Sequence, residues 1–132
     1  MKEFLYSTRV YFSDTDCGGI VYHTHYLNWA EHARTEMLRS ALPSFSQSDA
    51  SSLGFIFVVR EIGIKYIKPA LLDDVIQVRT KVERMEHFYA ILSQDIYRED
   101  ELLCTLSVKV AFIDKDGRKP HAIPKEVASA LM

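Results

Sequence analysis

The sequence predicts an α+β fold in which an antiparallel sheet of about five strands wraps around one long central helix. Two observations lead to this prediction: one stretch near the N-terminus has helical periodicity, and most of the remaining chain alternates in steps of two. Consecutive strands without helices between them favour antiparallel pairing. The length of 132 residues fits a single domain over 1–132.

The first strand is predicted over residues 3–13 and the helix from about His23 to Leu42. In the strand, alternate residues are apolar or β-forming and share one face: Phe4, Tyr6, Thr8, Val10 and Phe12. In the helix, apolar residues recur at three- and four-residue steps, and Pro43 is expected to end it. The Ser-rich residues 44–54 are predicted to form a loop.

Four further strands are predicted after this loop. Residues 55–67 form a long strand with a bulge expected at Gly63, and 75–85 and 88–98 form a hairpin. The last strand places alternating apolar residues on one face: Leu102, Cys104, Leu106, Val108, Val110 and Phe112. Pro124 is expected to open a short terminal helix. Because long exposed edge strands tend to pair, we expect at least a dimer.

Composition excludes several classes of function. Sixteen basic and eighteen acidic residues give a net charge of −2, which argues against a nucleic-acid surface. No window of eighteen apolar residues is present, so no membrane insertion is expected. The N-terminus has no apolar signal core, and Cys17 and Cys104 are too few for a disulfide framework. We therefore expect a cytoplasmic protein with reduced thiols.

The residues with chemical potential are concentrated in "TDCGGIVYHTHY", residues 15–26. A metal site could use His23 and His25 with Asp14, Asp16 and His32, but residues two apart on a helix point to different faces. Cys17 could be a nucleophile near a helix start, although a small buried apolar residue is the simpler interpretation and no base is fixed beside it.

A third interpretation combines Asp16 with the start of the helix. Unpaired N–H groups there could polarise a carbonyl, while Asp16 attacks that carbonyl or activates a water. Gly18 and Gly19 would allow a tight turn and a close approach of a ligand. An aspartate at such a position also commonly caps a turn, and residue types alone leave both roles open.

One longer pattern is specific. Arg9-Val10, Thr15-Asp16, Gly19-Ile20-Val21 and Tyr26, at these spacings, resemble the active-site signature of the 4-hydroxybenzoyl-CoA thioesterase family of hotdog-fold enzymes. The runs "RVYFSDTDCGGIVYHTHYLNWAEHARTEMLR" and "VVREIGIKYIKPALLDD" resemble the YbgC-type acyl-CoA thioesterases within that family. The resemblance covers nearly the whole chain and implies the hotdog fold.

The resemblance also implies site residues. Asp16 matches the family's essential carboxylate, acting as nucleophile or general base, and His23 matches the residue whose backbone N–H polarises the thioester carbonyl. Substrate-binding positions are predicted at Gly19, Tyr22, Val59 and Arg60. Lys65, Arg84 and Arg98 are further basic candidates for binding the CoA phosphates. The family places its acyl channel between two protomers, and residues 44–54 could cover its acyl end.

The implied activity is hydrolysis of acyl-CoA to a free acid and CoA, without a metal or redox cofactor. The implied assembly is a homodimer or homotetramer, and the family's association with the Tol-Pal system and acyl carrier protein adds acyl carrier protein as a candidate partner. The alternative is a non-catalytic module that binds acyl thioesters as a ligand sensor. A carboxylate facing the thioester favours the enzyme, because a pure binder gains nothing from a buried charge.

Overall fold

The computed structural model describes residues 2–16, 18–42 and 54–132. Its strands are β1 (Phe4–Arg9), β2 (Phe55–Tyr66), β3 (Val75–Met85), β4 (Tyr89–Arg98) and β5 (Glu101–Asp114). Its α-helices are α1 (His25–Ala41) and α2 (Lys125–Leu131), and a 3₁₀ turn spans Phe12–Asp14. The predicted order of one strand, one long helix and four strands is confirmed.

The five strands form one antiparallel sheet in the order β1-β3-β4-β5-β2. The first two strands of the chain therefore lie at opposite edges, and α1, which connects them, lies against the sheet at β1 and β3. This is the hotdog arrangement, and the predicted α+β class is confirmed. The outer side of β2 is an open edge among the described residues.

The core is formed by the apolar stripe of α1 packed on alternate residues of the sheet. The stripe consists of Tyr26, Trp29, Ala30, Ala33, Met37 and Leu38, all buried. The two alanines leave room for the helix to approach the strands closely. The predicted face of β5 is buried from Cys104 onward at every second residue, which confirms the period-two prediction.

A buried polar group connects helix and sheet at the centre of this core. Gln94 of β4 donates to the Ala30 carbonyl at 2.9 Å and to the Thr80 hydroxyl at 3.0 Å. Its amide oxygen accepts a hydrogen bond of 2.9 Å from the Arg34 guanidinium, and burial lowers the pKa of Arg34 from its ordinary value. Gln94 thus has partners for both ends of its amide, which is what a fully buried amide requires.

Two predicted boundaries were wrong at the N-terminal side. The first strand ends at Arg9, so Phe12 leaves the sheet and is 80% exposed. The cause is local: the Asp14 carboxylate accepts the Tyr11 N–H at 2.8 Å and winds the chain into the 3₁₀ turn. The helix begins at His25 rather than His23, because the residues just before it are bound to other segments.

The predicted bulge in β2 was also wrong in position. Gly63 pairs in register with Ser107, and the irregularity lies between Val59 and Glu61, where Arg60 is the extra residue. A bulge is defined by a residue without a partner on the neighbouring strand, which need not be a glycine, and here that residue is the exposed Arg60.

The α1 helix stops at Ala41, whereas Pro43 and the predicted loop up to residue 53 lie outside the described residues.

The start of α2 follows the prediction, with Pro124 at its N-cap. Neither α1 nor α2 has the length and apolarity needed to cross a membrane, and this holds for the whole part of the chain that the structure describes.

Candidate active site

Asp16 is the first residue of a tight loop between β1 and α1. Thr15 and Val21 form an isolated antiparallel bridge that closes the loop, and the Asp16 N–H donates to the Ile20 carbonyl at 3.0 Å. Gly19 adopts φ +78°, a conformation that favours glycine, and its N–H donates to the Asp16 carbonyl at 3.2 Å. The predicted need for a glycine at this turn is therefore met at Gly19.

The Asp16 side chain is exposed and held on one side only. Its Oδ1 accepts the Gly18 N–H at 2.9 Å, which fixes the orientation of the carboxylate. Within residues 2–16, 18–42 and 54–132, Oδ2 has no hydrogen-bond partner. One carboxylate oxygen therefore stabilises the turn, and the other is left free of that contact. Cys17, the alternative nucleophile, lies outside the described residues.

His23 lies two residues before α1, in the turn that leads into the helix, and not in its first turn. The Tyr22 carbonyl accepts the His25 N–H at 2.9 Å. Because a trans peptide directs its C=O and N–H to opposite sides, the His23 N–H of that same peptide points away from the helix start. This N–H has no partner among the residues that the structure describes. The backbone donor predicted at His23 is therefore free, and it lies close to the start of the helix.

His25 and Asp14 form a pair that sequence reasoning did not identify. His25 Nδ1 lies 3.0 Å from Asp14 Oδ1, and the Asp14 carbonyl accepts the Tyr22 N–H at 2.9 Å. With the contact to Tyr11, the Asp14 carboxylate is shared between two donors. The described residues hold no group of three side chains that could bind a metal ion.

The turn between β2 and β3, residues 68–74, supports the Asp16 loop from the other side. The Val21 N–H donates to the Ala70 carbonyl at 3.0 Å, and the Leu72 N–H donates to the Gly19 carbonyl at 3.2 Å. Ile20 and Leu71 form a further isolated bridge. The loop therefore lies between the turn and the segment before α1, with backbone hydrogen bonds to both.

Charged side chains hold this turn on the sheet. Arg98 binds Asp74 at 2.5 Å and also Glu101, and Lys68 binds Glu101 at 2.7 Å. Hydrogen bonds from Lys68 and then Arg98 lower the pKa of Glu101 to about 2. Asp74 in turn accepts the Leu71 N–H at 2.9 Å.

These contacts decide among the basic residues predicted for the CoA phosphates. Arg98 is committed to the support of the turn, and Arg84 is paired with Glu86 at 2.5 Å. Arg60 and Lys65 are exposed and form no ion pair within the described ranges. They remain the candidates.

A groove of about 220 Å³ lies beside His23, between the Asp16 loop and the end of β2. Its walls include Val21, Tyr26, Tyr66 and Lys68. The Tyr66 hydroxyl donates to the His23 carbonyl at 2.8 Å across 43 residues of sequence. Tyr66 is the residue that sequence reasoning missed, and a tyrosine in a strand carries no local signal for such a distant contact.

Val59 and Arg60 do not lie beside this groove within one protomer. Tyr66 marks the His23 end of β2, and Val59 is seven residues earlier, about 23 Å along the strand at 3.3 Å per residue. Val59 instead lines a mainly apolar cavity of about 180 Å³ between the second half of α1 and the sheet, with Met37, Leu38, Phe57 and Leu92 among its walls. Asp16, Gly19, Tyr22 and His23 thus lie on one short segment between β1 and α1, whereas Arg60 and Val59 lie six and seven residues before Tyr66 on β2.

Comparison with protein-family models matches residues 10–131 to the model described as "Thioesterase-like superfamily". The chain belongs to this superfamily. Two curated relatives of this thioesterase-like protein are an acyl-CoA thioesterase YbgC of Haemophilus influenzae and an acyl-CoA thioester hydrolase YbgC of Escherichia coli O6:H1. The first is 40% identical and the second 39%, over 97% and 96% of this chain and 93% of each relative. The resemblance read from the motif is confirmed.

A solved structure supports the same membership. The probable thioesterase from Bartonella henselae superposes with a TM-score of 0.84 at 31% identity, covering 93% of this chain and all of the other. The 1,4-dihydroxy-2-naphthoyl-CoA thioesterase from Synechocystis superposes with a TM-score of 0.88 at 23% identity, a level that bears on the fold alone. The fold is therefore shared over nearly the full chain.

The ion pairs at the turn predict a specific pH dependence of stability. The pKa of Glu101 is lower in the folded protein than its ordinary 4.5, so its stabilisation is present above pH 4.5 and is lost as the pH falls toward about 2. We expect Glu101→Gln to have a lower Tm than the wild type at pH 7, with the difference shrinking through this window.

Thermal unfolding followed by circular dichroism between pH 7 and pH 3 measures this difference. Glu83→Gln, an exposed glutamate of β3 outside the network, is the control and should show no comparable trend. A difference between wild type and Glu101→Gln that stays constant with pH would contradict the prediction.

Proposed function

We propose that the protein is an acyl-CoA thioesterase, which converts an acyl-CoA and water into a carboxylic acid and CoA. The observation that carries this proposal is an exposed carboxylate, Asp16, inside the loop closed by the Thr15–Val21 bridge, and an unpaired N–H at His23, two residues beyond that bridge. The substrate class rests on the curated relatives, which are 39% and 40% identical and carry acyl-CoA thioesterase names. Acyl transfer to water needs a group that attacks and a donor for the carbonyl oxygen, and this short segment offers both.

Two routes through Asp16 give the same products. As a nucleophile, the carboxylate attacks the thioester carbon, the C–S bond breaks, CoA leaves as a thiolate that takes up a proton, and water hydrolyses the acyl anhydride. As a general base, Asp16 takes a proton from water while the water oxygen attacks, and the proton passes to the leaving sulfur. The Oδ1 contact to Gly18 leaves Oδ2 for either role.

The His23 N–H would stabilise the negative charge that develops on the carbonyl oxygen. Removing one donor of this kind from an enzyme typically costs about a hundredfold to a thousandfold in turnover. The donor lies just outside α1, so its fixed direction matters more than the helix dipole, which falls off beyond the first turn. The mechanism uses no metal or redox cofactor, and this absence is part of the proposal.

The proposed active species is a homodimer in which two β2 strands pair edge to edge. β2 is an edge strand of twelve residues, and Val59 and Ile62 on it are 44% and 36% exposed. Antiparallel pairing would put the beginning of one β2 beside the end of the other. The apolar cavity and Val59 of the second copy would then approach the His23 groove of the first, which gives the acyl group a channel between protomers.

Further parts of the proposal concern the surroundings of the enzyme. Arg60 and Lys65, both on β2, would meet the CoA phosphates, since ammonium and guanidinium groups bind phosphate well. Acyl carrier protein stays a candidate partner and the homotetramer a candidate assembly, both on the resemblance alone. A cytoplasmic location fits the free thiol of Cys104, which is buried and whose pKa burial raises to about 12.

The rival function is a non-catalytic module that binds acyl thioesters. Both functions use the groove and the cavity, and they differ in what Asp16 does. A binder would keep its affinity and have no turnover to lose when Asp16 is replaced, so the carboxylate is the point at which the two hypotheses separate.

We expect Asp16→Asn to lower kcat by at least about a thousandfold with folding intact, because the attacking group is removed. The measurement is release of free thiol from a panel of acyl-CoAs, with circular dichroism as the check on folding. Asp14→Asn is the matched control, since Asp14 contacts the loop backbone and His25 and should affect turnover far less.

A rate above a tenth of wild type in Asp16→Asn would refute the proposed mechanism. An equal loss in Asp14→Asn would mean that the two aspartates act together. No turnover by the wild type on any acyl-CoA, combined with saturable binding, would favour the non-catalytic module.

The role assigned to His23 belongs to its backbone. We expect His23→Ala to keep at least about a third of wild-type kcat, because the N–H remains and the imidazole is not used. Steady-state kinetics with and without EDTA measures this, and EDTA is expected to leave the kcat of both the wild type and His23→Ala unchanged. Loss of activity in a folded His23→Ala protein would make the imidazole a catalytic group, and EDTA inhibition reversed by a divalent ion would restore the metal hypothesis.

The proposed dimer can be tested at the β2 edge. Ile62 lies near the middle of the edge, so pairing would bring two copies close together, and like charges placed opposite each other destabilise a strand pair. We expect Ile62→Lys to shift the protein toward a monomer with reduced turnover, as seen by light scattering and kinetics.

Leu5→Lys is the control, because Leu5 is an exposed apolar residue (57%) on β1, the opposite edge of the sheet. A wild-type protein that is monomeric and fully active would refute the proposal. Dissociation by Leu5→Lys rather than Ile62→Lys would show that the other edge forms the interface.

A further inference from the structure

Among the described residues, one side-chain hydrogen bond joins the end of β2 to the turn before α1. Tyr66 is the last residue of β2, and its hydroxyl donates to the His23 carbonyl at 2.8 Å. The ring packs edge-to-face on Tyr26 at 5.4 Å between centroids, and Tyr26 is buried. The Tyr66 ring is thus supported by the core while its hydroxyl reaches the turn.

The backbone around His23 is bound on both sides of the free N–H. On the N-terminal side, the Tyr22 N–H donates to Asp14 and the Tyr22 carbonyl accepts from His25. On the C-terminal side, the Tyr66 hydroxyl is the contact that holds the His23 carbonyl. The free N–H belongs to the Tyr22–His23 peptide, whose carbonyl is held by His25, whereas Tyr66 holds the next peptide, His23–Thr24. The two peptides meet at the His23 Cα, so the Tyr66 contact restrains the His23 backbone torsions that orient one peptide against the other. Loss of the Tyr66 contact would release these torsions.

The hydroxyl is suited to act as a permanent donor. A tyrosine with the ordinary pKa of 10.0 keeps its proton at neutral pH, and burial shifts the pKa of Tyr66 further upward, so the hydroxyl stays a donor to the carbonyl. A carbonyl oxygen can only accept, which fixes the direction of the hydrogen bond.

We propose that Tyr66 is a positioning residue for the hydrolysis, which acts through His23 by fixing the direction of its backbone N–H. This inference rests on the proposed function, in which that N–H meets the thioester oxygen. Tyr66 itself does not contact the reacting atoms. A donor that is displaced or rotated stabilises the transition state less but leaves the binding of the ground state nearly unchanged.

The test is Tyr66→Phe, which removes one oxygen atom and keeps the ring. We expect kcat to fall about tenfold to a hundredfold with KM changed by less than about twofold, since small displacements of a catalytic group cost this much. Tyr97→Phe is the matched control: its ring is covered by the Arg79 guanidinium at 3.8 Å on β3, away from the groove, and kcat should not change.

A second measurement does not depend on turnover. In a protein labelled with ¹³C, the His23 carbonyl resonance should move in Tyr66→Phe because it loses its hydrogen bond, and should stay in place in Tyr97→Phe. Circular dichroism and this resonance together separate a local change from loss of the fold.

The outcomes distinguish failure of the positioning role of Tyr66 from failure of the proposed thioesterase function. If the wild type hydrolyses acyl-CoA and Asp16→Asn abolishes it, while Tyr66→Phe keeps its kcat, the positioning role is refuted and the proposed function stands. A raised KM at unchanged kcat refutes it as well, because Tyr66 would then bind substrate. An unmoved His23 resonance refutes the hydrogen bond itself, whether or not the protein is a thioesterase.

Discussion

The arrangement of the candidate site depends on the side chain of Asp14. Its carboxylate accepts hydrogen bonds from the Tyr11 N–H and the His25 ring, and its carbonyl accepts the Tyr22 N–H. These contacts connect the chain before Asp16 with the chain on both sides of His23. They add to the Thr15–Val21 bridge and the Asp16–Ile20 hydrogen bond, which hold the same segment together. Asp14 is therefore a supporting residue, and its backbone contact to Tyr22 does not depend on the charge of its side chain.

The same loop is held from outside by charges at a distant position in the sequence. Arg98 and Glu101, at the turn between β4 and β5, fix Asp74 and Lys68, and the turn 68–74 then donates and accepts at Val21 and Gly19. Functional residues on a loop need a rigid scaffold, and here the scaffold is the end of the sheet at the β4–β5 turn, strengthened by ion pairs. The Asp16 loop is thus held in place by two segments, the turn 68–74 and the segment before α1, each contributing backbone hydrogen bonds.

Much of the fold and part of the site could be predicted from local patterns. The period-two alternation located β3, β4 and β5 within one or two residues, and the glycine at position 19 has the positive φ that the motif suggested. The errors at the end of β1 and at the bulge have physical causes that a pattern of alternating residues does not encode. Phe12 continues the pattern of β1 but leaves the sheet, because Asp14 binds the backbone at Tyr11. The bulge fell at Arg60 rather than at the glycine, since the register of β2 is set by β5.

The sequence by itself determined the α+β class, the long amphipathic helix, and the motif that points to Asp16 and His23, because these depend on periodicity and on residues close together in the chain. Only the tertiary structure decided which polar side chains support the site. Tyr66 and His23 are 43 residues apart, and the Arg98 side chain that was a candidate for phosphate is committed to Asp74 and Glu101. A side chain's partner is fixed by the packing of distant segments, and no spacing within one segment encodes it.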